Sequence, residues 1–113
     1  MKVKVIKAHQ GEGQFPTFEE GTEVIMKEEC THFIHWNACE INGHQTYVPN
    51  IFVANGKLTR DYNPTELIQE AGDIVDVHEI IYAWLLAKNE KDITGWIPAE
   101  VVVSININRY PGQ

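Results

Sequence analysis

Residues 94–102 of the chain read TGWIPAEVV. A tryptophan stands two positions before Pro98, and a glutamate and two valines follow shortly after it. Proline donates no hydrogen bond to a strand ladder, so it is disfavoured inside a central strand. A surface loop, in contrast, is seldom this apolar. Neither a central strand alone nor a surface loop alone therefore accounts for the sequence of residues 94–102.

The pattern occurs again in the first half of the chain. Residues 47–53 read YVPNIFV and align with residues 96–102, WIPAEVV. Each has an aromatic residue, a β-branched residue, proline, two variable positions and an apolar pair. Two further landmarks precede each copy in the same order, namely a tryptophan followed by a small residue at 36–39 and 84–87, and a Gly turn at 20–25 and 71–75. We therefore predict two repeats of about fifty residues, joined by the turn-like residues 54–56.

Short strands are predicted within each repeat. Residues 3–8 alternate apolar and basic side chains, as a half-buried strand does. Asn42-Gly43 is a strong hairpin signal, because both residues tolerate the positive φ of a type I′ turn. Residues 79–88, EIIYAWLLAK, could instead form a helix, since Ala, Leu and Lys favour helix. We predict a strand there because the aligned segment of the first copy alternates like a strand.

The predicted fold is all-β, with two small barrels packed against each other at residues 1–54 and 57–108. A barrel of this size buries too little apolar surface to be comfortably stable alone. The connection at 54–56 is too short for independent tumbling. We therefore expect a fixed packing between the two barrels.

Composition limits the partners. The chain has 113 residues and a net charge of −7, with nine Lys and Arg spread along it, so no nucleic-acid partner is expected. No run approaches the roughly 18 apolar residues that span a bilayer, and the N-terminus does not read as a signal peptide. We expect a cytoplasmic protein without a membrane partner. Cys30 and Cys39 are expected to be reduced structural thiols.

The motifs and their order resemble the Src-homology 3 (SH3) domain over nearly the whole chain. In the second copy, residues 58–62 (LTRDY) resemble the family's ALYDY motif, residues 84–87 (WLLA) its WW.A motif, and residues 95–102 its GYIPSNYV motif. The first copy keeps residues 36–39 and 47–53. The resemblance implies two tandem SH3-like domains, divergent and of prokaryotic type.

In that family an aromatic groove binds a polyproline II ligand, which is already extended and loses little entropy on docking. A tryptophan N–H binds a ligand carbonyl, and acidic residues hold a ligand Arg or Lys. The resemblance therefore implies a protein or a proline-rich or basic peptide as partner. The matching positions are Trp36, Tyr47, Pro49 and Phe52 in the first copy, Tyr62, Trp84, Trp96 and Pro98 in the second, and the acidic residues Glu12, Glu19, Glu20, Glu66 and Glu70.

Three substitutions of the family's groove tyrosines favour a different function, namely Lys7, Arg60 and Val101. His9 replaces a further groove tyrosine. By strand parity Trp84 and Ala87 lie on opposite faces. The resemblance places Cys39 and Ala87 at the family's small core position, which implies that Trp36 and Trp84 face outward, either to bind a ligand or to pack against the other barrel. The alternative is a structural or assembly protein, which could form a homo-oligomer and has no peptide groove in use. A cell-wall-binding SH3-type module is a third alternative, disfavoured because no export signal is visible.

No catalytic motif stands out, since the chain lacks G-x-S-x-G, a P-loop and H-E-x-x-H. His32 and His35 are three apart on a predicted strand, so they face opposite sides and do not chelate a metal together. We expect a non-enzymatic protein with no cofactor and no metal site. Residues 105–113 alternate and end in a proline-containing stretch, which predicts either an added strand at a neighbouring edge or a frayed end.

Overall fold

The computed structural model describes residues 1–11 and 13–105. These residues form short β-strands and two 3₁₀ turns, and no α-helix occurs within them. The strands, in chain order, are β1 Lys2–Val5, β2 His9–Gln10, β3 Ile25–Glu29, β4 Trp36–Ile41, β5 His44–Pro49, β6 Val53–Ala54, β7 Lys57–Leu58, β8 Ile68–Gln69, β9 Ile74–Ile81, β10 Trp84–Lys88, β11 Thr94–Pro98 and β12 Val102–Ser104. The predicted all-β class is confirmed.

The segment in which a helix competed with a strand forms the end of β9, a tight turn and β10. Its burial alternates with period two: Leu85 and Ala87 are buried, while Trp84 and Leu86 lie half-buried on the other face. The single strand predicted across residues 79–88 is wrong at Tyr82 and Ala83, where the chain turns between β9 and β10, but the choice of strand over helix is confirmed. So is the inward position of Ala87, which has no exposed surface.

Pro49 and Pro98 each end a strand and begin a 3₁₀ turn, Asn50–Phe52 and Ala99–Val101 respectively. Both prolines are extended, with φ of −74° and −69°, close to the value that the ring imposes. At the end of a strand the missing N–H removes at most one terminal ladder bond. TGWIPAEVV is thus a strand, a proline stop, a 3₁₀ turn and the start of a returning strand, and residues 47–53 have the same local structure.

Two Asn-Gly pairs form the tight turns of the N-terminal half. Asn42 and Gly43 have φ of 50° and 82° between β4 and β5, as the type I′ prediction requires. Asn55 and Gly56 have φ of 53° and 74° between β6 and β7. The short connection at 54–56 is therefore itself a hairpin turn.

The first strand of the chain pairs with strands of the C-terminal half. β1 lies between β9 and β12 in an antiparallel sheet of order β11-β10-β9-β1-β12. Val3 is opposite Val75 on one side and Ser104 on the other. Farther along, β2 pairs with β8. By hydrogen bonding, residues 2–10 belong with the C-terminal strands.

Residues 57–62 make the reciprocal arrangement. β7 pairs with β6, and the Leu58 N–H donates to the Thr22 carbonyl at 2.9 Å. Tyr62 and Phe18 exchange two backbone hydrogen bonds of 2.8 Å. Lys57 also forms an isolated bridge with Glu23, so residues 57–62 pair with residues of the N-terminal half. The opening strand of each predicted repeat therefore pairs with strands of the other repeat.

The predicted ranges 1–54 and 57–108 stay a prediction, but strand pairing crosses the division between them in both directions. Hydrogen bonding groups residues 2–10 with 64–105, and residues 15–54 with 57–62. In the part of the chain that the structure describes, no sheet closes on itself. The predicted barrels are therefore not present as closed barrels.

Two apolar clusters follow the strand pairing rather than the chain order. The first core comprises Phe18, Val24, Trp36, Cys39, Ile41, Val48, Phe52, Leu58, Tyr62 and Trp96. The second core comprises Val3, Val5, Leu67, Val75, Val77, Leu85, Ala87, Ile97 and Val101. The exchanged strands supply Val3 and Val5 to the second core and Leu58 to the first. Burying such a side chain contributes about 1.5–3 kcal/mol, so the exchange is stabilised by its own apolar residues.

Gly95 lets the segment before β8 lie directly against β11. The Trp96 N–H donates to the Thr65 carbonyl at 2.9 Å, and the Leu67 N–H donates to the Trp96 carbonyl at 2.8 Å. A Cβ on Gly95 would lie 2.9 Å from the Thr65 oxygen and 3.2 Å from Leu67. The backbones approach too closely for any side chain at this position.

We expect Gly95→Ala to lower the free energy of unfolding by about 1–3 kcal/mol, the usual cost of overpacking a buried site. Urea denaturation followed by tryptophan fluorescence measures this change. The control is Thr94→Ala on the exposed neighbouring position, which should change stability by less than about 0.5 kcal/mol. Equal effects of the two variants would contradict the close backbone approach.

Cys39 is buried in the first core, and burial raises the pKa of its thiol to about 11 from an ordinary value of 9.0. The unfolded chain therefore releases this proton at lower pH than the folded protein does. The stabilisation is complete below pH 9.0 and is lost as the pH rises through about 11. We expect the urea midpoint of the wild type to fall more steeply over this pH range than that of Cys39→Ala. Parallel curves would mean that Cys39 does not titrate with unfolding.

Candidate binding cleft

The three tryptophans meet where the two cores adjoin. Trp36 opens β4, Trp84 opens β10 and Trp96 lies in β11. The ring centroid of Trp36 is 5.4 Å from that of Trp96 and 5.8 Å from that of Trp84, both at tilted or edge angles that aromatic pairs favour. Trp36 and Trp96 are 4% and 3% exposed, whereas Trp84 is only half-buried. The Trp36 and Trp84 rings are both predicted to face outward. In the structure other residues cover the Trp36 ring, whereas the Trp84 ring is partly exposed.

The indole N–H groups differ in the same way. Trp36 Nε1 donates to the carbonyl oxygens of Tyr82 and Ile81, at 3.0 and 3.3 Å. Trp96 Nε1 donates to the Asn63 carbonyl at 3.0 Å. For Trp84, no acceptor lies within reach among residues 1–11 and 13–105. Its N–H remains available to a bound molecule.

The turn that accepts the Trp36 hydrogen bonds has a strained backbone. Tyr82 and Ala83 have φ of 44° and 71°, a region that costs a non-glycine residue roughly 1–2 kcal/mol. Three contacts hold the turn: the Trp36 hydrogen bonds, the His35 ring 4.8 Å from the Tyr82 ring, and the Ala99 N–H donating to Ala83 at 2.8 Å. Contact with the N-terminal half thus offsets the strain of a turn in the C-terminal half.

A cleft of about 530 Å³ opens beside this junction, within the range of roughly 300–1,000 Å³ that is typical of ligand sites. Its aromatic lining is formed by Phe33, Trp36, Tyr47, Tyr62, Trp84 and Trp96. Its acidic residues are Glu28, Glu29 and Glu66, and no Lys or Arg of the described chain lines it. The surface combines aromatic rings with negative charge, and it draws on both halves of the chain.

Six of the sequence-predicted site residues line this cleft together. They are Trp36, Tyr47, Tyr62, Trp84, Trp96 and Glu66. Because strands are exchanged, residues assigned to two separate grooves from the sequence lie in one cleft. The structure thus brings together the tryptophans of both repeats rather than separating them.

The other predicted residues lie elsewhere. Pro49, Phe52 and Pro98 are buried and do not line the cleft, with Pro49 opposite Trp36 and Pro98 opposite Trp84 in the strand register. Glu19 and Glu20 are exposed outside the cleft, where the Glu20 N–H donates to Asp61. Glu70 lines a second cavity with Asp73 and Glu90. Glu12 and residues 106–113, including most of the predicted added strand, lie outside the described residues.

Sequence reasoning missed Phe33, Glu28 and Glu29 as cleft residues, and it named His9 only as a replacement of a groove tyrosine. Phe33 packs edge-on against Trp84, with centroids 5.1 Å apart, and extends the aromatic wall. Glu28 and Glu29 are the last two residues of β3 and line the same cleft as Phe33. The one signal in the sequence is an apolar residue three positions before Trp36, which could equally indicate core packing.

Glu66 is held in place at the cleft. The His9 Nε2 forms a hydrogen bond of 2.9 Å with Glu66 Oε1, and the His9 ring packs edge-on against Trp84 at 5.8 Å. Both side chains of the pair are less than one-fifth exposed. Gly11 approaches so closely that an added Cβ would overlap the Cβ of Glu66. The strand exchange therefore positions this carboxylate through residues 9–11.

The cleft offers no activated nucleophile. Cys30 lines it, but burial, and secondarily the Glu29 carboxylate, raise the pKa of its thiol above the ordinary value. The thiol therefore stays protonated at neutral pH, where a thiolate would be needed for attack. In the described residues no three His, Cys, Asp or Glu side chains converge as metal ligands would. The arrangement suits non-covalent binding.

Arg60 ties residues 57–62 to β9. Its guanidinium makes two hydrogen bonds of 2.8 Å to the Glu79 carboxylate and lies 4.3 Å from the centre of the Phe52 ring. This bidentate pair lowers the pKa of Glu79 below its ordinary value of 4.5. The residue thus contributes a contact between the two halves, away from the cleft lining.

Arg60→Met, Glu79→Gln and the double variant form a mutant cycle. Because the two side chains are 41% and 35% exposed, we expect a coupling of about 0.5–1 kcal/mol at neutral pH from urea denaturation. The folded pKa of Glu79 is lowered, so the contribution is complete above pH 4.5 and disappears as the pH falls through the folded value. A coupling that persists unchanged in acid would instead assign the effect to packing on Phe52.

No protein-family model, curated protein or solved structure matches the chain. Among the residues that the structure describes, no helix has the length and apolar character needed to cross a membrane. The cleft must therefore be interpreted from its own chemistry.

Proposed function

We propose that the chain is a non-enzymatic binding protein, built from two divergent SH3-like units, and that its cleft binds an extended peptide containing proline and a basic residue. The observation that carries the proposal is the joining of aromatic and acidic side chains from both halves in one open cleft. The aromatic rings suit the proline of such a peptide, and the carboxylates suit its basic residue.

The aromatic wall suits a polyproline II segment. Such a segment has a preformed backbone whose ridges pack between rings and whose carbonyls stay unpaired. Trp84 and Tyr47 are accessible, and the Trp84 N–H has no acceptor among the described residues. We assign Trp84 as the donor to a ligand carbonyl.

The acidic residues suit a ligand Arg or Lys. Glu28, Glu29 and Glu66 face a cleft without any described basic Lys or Arg, on a chain of net charge −7. Glu66 is the best-positioned of the three, because His9 and Gly11 restrict it. A cation bound there gains a charge-assisted hydrogen bond in partly buried surroundings.

The SH3-like character is supported by local structure. Each predicted repeat contains three strands, a proline, a 3₁₀ turn and a short strand in the same order. The strand that follows each 3₁₀ turn pairs with the opening strand of the other predicted repeat: β12 pairs with β1, and β6 pairs with β7. In this proposal the two units exchange their opening strands and stay packed together.

An assembly protein without a peptide ligand is the second candidate. It is favoured by the burial of Trp36 and Trp96 and by their indole hydrogen bonds to the chain's own carbonyls. In this view the aromatic rings serve only to join the halves, and the exposed faces contact a second copy. Trp84 distinguishes the two candidates because it is the tryptophan left open.

Titration of the full chain with a basic, proline-containing peptide of about ten residues tests the proposal. We expect saturable changes in tryptophan fluorescence and in the NMR shift of the Trp84 indole N–H. Trp84→Phe keeps a ring but removes the donor, and Glu66→Gln removes one charge. Each should weaken binding by about fivefold to tenfold, as expected for loss of one hydrogen bond or one charge-assisted contact.

Glu70→Gln is the matched control, because it makes the same charge change in the other cavity and should leave the peptide affinity unchanged. Equal weakening by Glu66→Gln and Glu70→Gln would indicate general electrostatics rather than this cleft. Absence of any binding by basic proline-containing peptides would favour the assembly candidate.

A further inference from the structure

We propose that the occupant of the cleft is residues 106–113 of a second copy of this chain, with Arg109-Tyr110-Pro111 as the part that binds. The inference rests on the proposed function, because it names a partner for the same cleft. Each molecule would then carry both the cleft and, in residues 106–113, the segment that binds the cleft of another copy.

The sequence of this segment matches the cleft chemistry. Residues 106–113 read NINRYPGQ, in which an arginine, an aromatic ring and a proline are consecutive and no acidic residue occurs. The other arginine of the sequence, Arg60, is engaged by Glu79. Arg109, two positions before Pro111, is therefore the arginine that Glu79 does not engage.

Charge and shape agree with this assignment. Arg109 supplies a cation for the carboxylates at Glu28, Glu29 and Glu66, where no described Lys or Arg competes. Pro111 restricts the residue before it to an extended backbone, which is the form that an aromatic groove accepts. Tyr110 adds a ring that can pack against Trp84 or Phe33.

The path of the chain favours a second copy over the same molecule. The 3₁₀ turn Ala99–Val101 lies at the cleft rim, since Glu100 contacts the rim residue His32 at 3.1 Å. β12 then runs antiparallel to β1, with Val102 opposite Val5 and Ser104 opposite Val3, away from the β2 end of that segment. Residue 105 therefore lies roughly 14 Å beyond the rim, from the rise of strand and 3₁₀ residues.

The same segment would have to reverse at once to reach its own cleft. From residue 105 to residue 109, a fully extended chain spans roughly 14 Å. The backbone of Arg109 would return to the rim only with the chain fully stretched. A neighbouring molecule's segment has no such restriction. The resulting contact is head-to-tail, because the two surfaces differ.

Sedimentation of the full chain over a range of concentrations tests the inference. We expect reversible self-association of the wild type. Arg109→Ala and Glu66→Gln should each weaken it by about tenfold. The control Asn106→Ala lies in the same segment but outside the Arg-Tyr-Pro part, and it should associate like the wild type.

Mixing variants gives a sharper result. Arg109→Ala keeps an intact cleft and Glu66→Gln keeps an intact segment, so an equimolar mixture retains one complete contact and should form dimers about tenfold more tightly than either variant alone. A wild type that stays monomeric at every concentration would overturn the inference. Undiminished association of Arg109→Ala would also overturn it. If, in addition, the Trp84 signal of Arg109→Ala differs from that of the wild type, the segment binds the cleft of its own molecule.

A separate titration distinguishes failure of this inference from failure of the proposed function. The Arg109→Ala chain is titrated with a synthetic peptide of residues 103–113 and with the unrelated basic, proline-containing peptide. Binding of both supports the inference. Binding of the unrelated peptide alone overturns it and leaves the proposed function standing, whereas binding of neither overturns both.

Discussion

The pairing of residues 2–10 with strands of the C-terminal half is the constraint on which the rest of the structure depends. Because β1 lies between β9 and β12, the chain continues to His9 and Gly11 beside Glu66. Residues 57–62 make the reciprocal pairing in the N-terminal half. If each half kept its own opening strand, the covalent connection at 54–56 would be the main link. With the strands exchanged, backbone ladders and both apolar cores hold the halves in one arrangement.

This arrangement separates two roles that tryptophan can have. Trp36 and Trp96 are buried, and their N–H groups bind carbonyls of the chain itself, so they join the halves. Trp84 packs against Trp36 but stays half-exposed, and no described residue accepts its N–H. Packing and ligand binding are therefore compatible, because they draw on different rings of one cluster. The strained turn at Tyr82 and Ala83 belongs to the joining role, since it supplies the carbonyls that Trp36 needs.

The acidic cleft gives the proposed activity its selectivity. Rings alone accept many apolar segments, whereas carboxylates without nearby Lys or Arg favour a ligand that carries a cation. In our proposal, the Arg-Tyr-Pro segment of one chain binds this cleft of another, and the chains assemble head-to-tail. Contacts of that kind form rings when the rotation closes and filaments when it does not. The same surface would still accept a foreign peptide, in competition with the neighbouring copy.

The sequence by itself determined the local structure of this protein. The Asn42-Gly43 turn, the end of a strand at each proline and the choice of strand over helix within residues 79–88 follow from backbone preferences and alternation over a few residues. The inward position of Ala87 is implied by the family resemblance. Motif matching also selected six residues that line the cleft. Only the tertiary structure decided which sheet each opening strand joins, and hence that one cleft replaces two grooves. Backbone hydrogen bonds are chemically alike for either partner, and the valines of β1 suit either core, so no local pattern distinguishes the two pairings.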